Sequence, residues 1–179
     1  MGRSKKGFSL GYLSLFLVDI EGFPLGHVEA PLNMNEKQLV ETLLHKVLGE
    51  SIEVELIAGD SQLESQALFG LLESLRMNHI IAWRKLRGRE NPPDVLTVKD
   101  RIDVEGPEWK KAIYKRLRAV AEGFNGRAKS RLAYERLTWQ GLENASIHVS
   151  IVMCVVYAAV VAATLIGRPE LRHSIAYFA

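Results

Sequence analysis

Two carboxylates in this sequence could do chemistry, one at a strand end where a divalent cation could use it and one on a polar helical stripe. Asp60 follows the apolar stretch of LIAGDSQLES, and a carboxylate at the carboxyl end of a strand offers a hard oxygen ligand at a sheet edge. Glu122 lies in YKRLRAVAEGFNGRAK, residues 114–129, with Arg118 four residues before it and Lys129 seven after it. On a helix, Tyr114, Arg118, Glu122 and Lys129 fall within about 80° of arc, which makes one polar stripe of a Tyr, a carboxylate and two cations. Each feature also has a plainer explanation. An Asp after Gly is commonly a turn or a helix cap. Arg118 and Glu122 are also spaced as the i,i+4 ion pair of a solvated helix, which contributes roughly 0.2–0.5 kcal/mol.

The elements that must hold these residues can be read from hydropathy patterning. Residues 8–20 alternate as a strand, Glu21-Gly22 supplies a turn, and residues 24–30 return as the second strand of an antiparallel pair. Asn33 or Asn35 caps a helix with an apolar stripe of Leu39, Leu43, Leu44, Val47 and Leu48, ended by Gly49. Residues 52–58 form a short strand that delivers Asp60, residues 65–77 a helix, and residues 79–83 another strand. Residues 88–93 read as loop, and residues 94–108 hold little helical pattern. A long helix over residues 109–137 carries Ile113, Leu117, Val120 and Phe124 within about 60° of arc, opposite the polar stripe. Gly123 and Gly126 each weaken it by roughly 1 kcal/mol relative to Ala, so a local break near Asn125 is expected. This order of strands and helices predicts an α/β sandwich with a mixed sheet.

Composition narrows the class. The chain has 179 residues, 47% of them hydrophobic and 25% charged, which suits one globular domain with a real core. A net charge of +2 does not demand a polyanionic partner, but the cations cluster. WRKLRGR at residues 83–89 and the segment 110–136 suit a phosphate backbone, and equally a solvated helix face. The single cysteine, Cys154, allows no internal disulfide, fits a reducing cytoplasm, and is expected as a small core residue. Residues 147–166 are nearly all apolar and about as long as a bilayer is thick. His148, Ser150 and Thr164 interrupt the run, which favours a buried helix of a soluble domain over a membrane span. The basic start MGRSKKGF leads into an alternating segment, read as a strand and not a signal peptide.

Taken in order, these segments resemble the large insertion-sequence DDE transposase family with a Tyr-Arg-Glu-Lys signature. Arg118, three residues, Glu122, six residues, Lys129 matches that signature, with Tyr114 upstream; three residues separate Tyr114 from Arg118, against two in the family pattern. GYLSLFLVDIEGFPLGHVEAPLNMNE is similar to the family's second and third strands and LIAGDSQLES to its fourth. RLTWQGLENASIHVSIVMCVVYAAVVAATLIGRPE is similar to its ending, where a Gly-Leu-Glu-Asn turn precedes an apolar helix. The resemblance implies an RNase H-like fold and two-metal phosphoryl transfer with Mg²⁺ or Mn²⁺, acting on the DNA of transposon ends. It implies that Asp60 and Glu122 are catalytic metal ligands, and that Arg118, Lys129 and Tyr114 contact or support DNA.

The family's first Asp, on the strand before GYLSLFLVD, has no counterpart in this sequence, and Asp19 is read as a turn residue. The expectation is therefore a catalytic-domain fragment lacking its first strand and inactive alone. It would have DNA, a homodimer or a full-length transposase as partner. A non-catalytic DNA-binding or dimerising remnant and a small membrane-anchored protein are the alternatives.

Overall fold

The computed structural model describes residues 2–4, 7–9, 11–84, 95–97, 102–105, 107–132, 134 and 140–178, and the side chains of residues 11–82 and 107–178 within them. The fold is mixed α/β. In chain order the elements are β1 (Gly2–Ser4), β2 (Gly7–Ser9), β3 (Tyr12–Val18), β4 (Pro24–Pro31), α1 (Glu36–Gly49), β5 (Leu56–Gly59), α2 (Gln66–Ser74), β6 (Asn78–Ile81), β7 (Trp83–Arg84), β8 (Val95–Thr97), β9 (Ile102–Glu105), α3 (Glu108–Arg131), α4 (Leu142–Leu165) and α5 (Ile175–Phe178). Short 3₁₀ turns cover Ser61–Leu63 and Pro169–Leu171. The expected loop at residues 88–93 and the basic side chains of residues 83–89 lie outside the described residues.

The sequence predicts a mixed sheet, and among the described residues parallel and antiparallel pairs are both present, in separate small sheets. The described strands form β1–β2, β3–β4, β5–β6 and the three-stranded β7–β9–β8. A larger sheet needs strands hydrogen-bonded on both edges, and among the described strands only β9 has two neighbours.

Two compact units divide the chain, one of residues 1–33 and 122–179, the other of residues 34–121. In the first, β3 and β4 pair antiparallel from Tyr12↔Pro31 to Leu17↔Gly26, with an irregularity between Leu17 and Val18. Their connection is the expected turn. The Asp19 carboxylate accepts the Glu21 and Phe23 backbone N–H groups, both at 2.9 Å. β4 packs against α4, and Phe23, Phe124, Ala128, Val152, Val156, Ala159 and Ile175 make the core. Phe16 reaches this core edge-on to Phe124, ring centroids 5.1 Å apart.

The start of α4 is set by Gly141, at φ 107°, a conformation costly for any residue with a Cβ. Its backbone N–H donates to the Tyr12 hydroxyl at 2.7 Å, which ties the helix to the hairpin. The helix buries Ala145, Val149, Val152, Val156, Ala159 and Ala163. The helix expected to be buried is therefore covered along one face, and Cys154 is exposed instead of belonging to the core.

In the second unit, Asn35 caps α1, its side chain accepting the Lys37 N–H at 3.1 Å. The stripe of Leu39, Val40, Leu43, Leu44 and Val47 is buried, while Leu48 is only half-buried. The helix ends at Gly49, as expected, and Ser51 beyond it takes the left-handed conformation, φ 61°. Strand β5 is shorter than its apolar pattern, beginning only at Leu56. It pairs in parallel with β6, Leu56↔Asn78 to Gly59↔Ile81, with α2 as the crossover helix between them. Ser65 caps α2 by accepting the Leu68 N–H at 3.2 Å, and α1 packs on α2.

Candidate functional site

Asp60 is positioned by the parallel pair. Gly59 ends β5, and a Cβ there would lie 3.1 Å from Leu63 Cδ1, so glycine lets the following 3₁₀ turn close over the strand end. Asp60 begins that turn: its carbonyl accepts the Leu63 N–H at 2.9 Å, and its carboxylate takes a hydrogen bond from Ser61 Oγ at 3.1 Å. The residue is exposed. It thus sits at the carboxyl end of two parallel strands, where α/β proteins place ligands, and at the same time starts a turn. Its place after a strand and at the start of a turn is as the sequence suggests, and its side chain makes no capping hydrogen bond.

The long helix α3 runs unbroken through Gly123 and Gly126, so the expected break near Asn125 is absent. Neighbouring packing holds a helix that propensity alone would weaken. Of the four stripe residues, Glu122 and Lys129 are exposed and Arg118 is half-buried. Tyr114 departs from the stripe. It is 1% exposed and packs with Ile80 and Ala82, the end of β6 and the residue after it, beside Ile113. Its ring is a core contact on the strand next to the one that delivers Asp60, and it is turned away from solvent. A DNA-supporting role for the Tyr114 ring does not follow from this position. The 100° rotation per residue put Tyr114 at the edge of the polar arc, and the width of the buried face took it in.

The structure therefore brings the strand end at Asp60, the Tyr114 contact on β6 and Arg118 into one unit, residues 34–121, while Glu122 and Lys129 fall in the other. Among the described residues, no three His, Cys, Asp or Glu side chains gather as a group that could hold a metal ion.

One polar constellation escaped the sequence reading. His27 on β4 is 6% exposed. Its Nδ1 lies 2.8 Å from Glu29 Oε1, and Ser150 Oγ on α4 lies 3.1 Å from its Nε2. A carboxylate only accepts, so Nδ1–H donates to Glu29, and in the neutral ring Nε2 accepts the Ser150 hydroxyl. The order Ser, His, carboxylate is that of a nucleophilic triad. Ser150, however, is mid-helix, where backbone N–H groups are consumed by the helix itself and cannot stabilise an oxyanion. The network is a tie between hairpin and helix. Period-two spacing puts His27 and Glu29 on one face of β4, a signal open to the sequence; nothing local marks Ser150 as their partner.

A cationic group gathers near the β3–β4 turn. Arg127 donates to the Gly22 carbonyl at 3.1 Å, Arg172 pairs with Glu21 at 3.0 Å, and the His173 ring stacks on Phe23 at 4.4 Å. Burial lowers the Arg127 pKa. Burial, reinforced by the charges of Arg127 and Arg172, lowers that of His173. Burial, with Asp19 nearby, raises the Tyr157 phenol.

Comparison with protein-family models, curated proteins and solved structures returns no match.

Proposed function

We propose that this chain is part of a DDE-type transposase catalytic domain that binds duplex DNA and has no strand-transfer activity by itself. The observation that carries the reading is Asp60 at the carboxyl end of a parallel β5–α2–β6 unit, followed in the chain by Arg118, Glu122 and Lys129 on one long helix. An antiparallel hairpin, β3–β4, precedes the parallel unit, and an apolar helix, α4, follows. That order agrees with an RNase H-like fold.

In such a site two divalent ions, Mg²⁺ or Mn²⁺, stabilise the attacking and leaving oxygens at phosphorus. Asp60, with one oxygen engaged by Ser61 and the residue exposed, retains lone pairs for a cation. Two carboxylates fall short of the ligand set that holds both ions, and no catalytic step is assigned to this chain alone. Arg118 and Lys129 would meet phosphates flanking Glu122, while Tyr114 supports the helix from the core. An exposed free thiol at Cys154 agrees with a reducing cytoplasm.

Two measurements test the reading. Binding to duplex DNA should be measurable at low salt and weaken steeply as ionic strength rises; no binding at low salt overturns the proposal. Plasmid nicking with Mg²⁺ or Mn²⁺ should be absent, and nicking that disappears in Asp60→Ala and Glu122→Ala would overturn the inactivity while supporting the family.

A further inference from the structure

The helix α4 carries two apolar seams, and the fold covers one of them. Ala145, Val149, Val152, Val156, Ala159 and Ala163 recur at spacings of four and three and are buried. Ile147, Ile151, Cys154, Ala158, Val161 and Leu165 recur at the same spacings on the opposite side, and every one is exposed. The large members are exposed to an unusual degree, Ile151 at 53%, Val161 at 57% and Leu165 at 81%. This four-three recurrence is the seam by which helices pack along their length.

We propose that the exposed seam docks antiparallel against the same seam of a second copy of this chain. Three observations select that occupant. With the two-fold axis crossing the exposed seam midway between Cys154 and Ala158, Ile147 meets Leu165 of the second copy, Ile151 meets its Val161, and Cys154 meets its Ala158. Large residues fill the two ends and small ones let the backbones approach at the centre. The same register brings Glu143, at the helix start, beside Arg168 of the second copy, just past its helix end, so charges and helix dipoles oppose favourably. The exposed apolar residues run along α4 from Ile147 to Leu165, a contiguous patch of the kind that marks an interface.

A lipid bilayer is the other apolar environment for this surface, since α4 is long and apolar enough to cross one. Elements that accompany a spanning helix into hydrocarbon must have every backbone polar group paired, which an open two-stranded hairpin does not. The buried face of α4 is held by the hairpin, through Ser150 with His27 and the Tyr157 hydroxyl donating to the Pro24 carbonyl.

The test is sedimentation equilibrium of the full chain, without detergent and under reducing conditions. Wild type should sediment at twice 20.1 kDa at micromolar concentration. Ile151→Lys or Val161→Glu alone should weaken the dimer about tenfold or more, and combining them in one chain should restore it to within about threefold, because each Lys then faces a Glu of the other copy. Circular dichroism checks that the variants fold. Independently of these, oxidised Ala158→Cys should yield an intermolecular disulfide between positions 154 and 158. A monomeric wild type, a double variant as weak as the singles, absence of that crosslink, or flotation of monomer with phosphatidylcholine vesicles would each overturn the proposal.

Discussion

Ser150 on α4 and His27 on β4 meet 3.1 Å apart although 123 residues separate them. Glu29 completes the contact from the other side of the imidazole, with its side chain 3% exposed. Replacing His27 by Ala leaves the Glu29 carboxylate buried without this donor, and should destabilise the fold by about 2–4 kcal/mol. Ser150→Ala removes one hydroxyl bond and should cost about 1 kcal/mol. Urea denaturation checks both, and equal stability of His27→Ala and wild type would mean the contact does not persist in solution.

Tyr114 and the cations of α3 should separate cleanly by phenotype. Tyr114→Ala empties a core position against Ile80 and Ala82 and should cost about 3–5 kcal/mol of stability. Arg118→Ala and Lys129→Ala should leave the fold near wild type and weaken DNA binding, each lowering the slope of log K against log salt by about 1. Thermal melts and DNA titrations over a salt series give the two readouts; a Tyr114→Ala protein as stable as wild type would contradict its burial.

Glu122 is a negative charge among the proposed phosphate contacts. Without divalent ions, Glu122→Gln should therefore tighten duplex binding by a few-fold, on the order of 1 kcal/mol. Titration in EDTA measures this directly. Unchanged affinity would place the DNA away from this flank of α3.

Asp19 organises the β3–β4 turn through two backbone N–H groups, those of Glu21 and Phe23. Asp19→Ala should cost about 1–2 kcal/mol. Asp19→Asn should recover much of that loss, because the amide oxygen can still accept. Chemical denaturation of the two variants decides it: a loss shared equally by both would show that charge, not hydrogen bonding, matters there.

Stability should fall as pH drops through the ordinary histidine range because of His173. Its folded pKa is lowered from 6.5, first by burial and then by Arg127 and Arg172, with Glu21 and Asp19 opposing. Below the ordinary value the unfolded chain takes up a proton that the folded chain resists, so unfolding gains; the loss levels off below the folded value. Melting temperatures from pH 8 to pH 5 should decline less in His173→Phe, which keeps an aromatic ring facing Phe23. Identical declines would remove His173 as the cause.

Much of the local structure was written in the sequence. Alternation located β3 and β4, and Asn33 or Asn35 marked a helix start because a short polar side chain can satisfy an N–H that the helix leaves open. Asp19 was legible as a turn residue, and Asp60 as the residue ending a strand. These are matters of a few neighbouring residues, and a linear chain displays them.

What only the tertiary structure decided concerns faces and partners at long range. Helical angles set Tyr114 beside Arg118, but the reach of β6 determined that its ring is buried. The two glycines of α3 predicted a break that packing suppressed. In α4 both seams have the same spacing and similar residues, so no reading of periodicity could choose between them. Cys154 proved exposed and Val152 buried because the hairpin lies against one side of the helix. Sequence fixes the pattern that a helix presents; which stripe is removed from water depends on the elements that reach it.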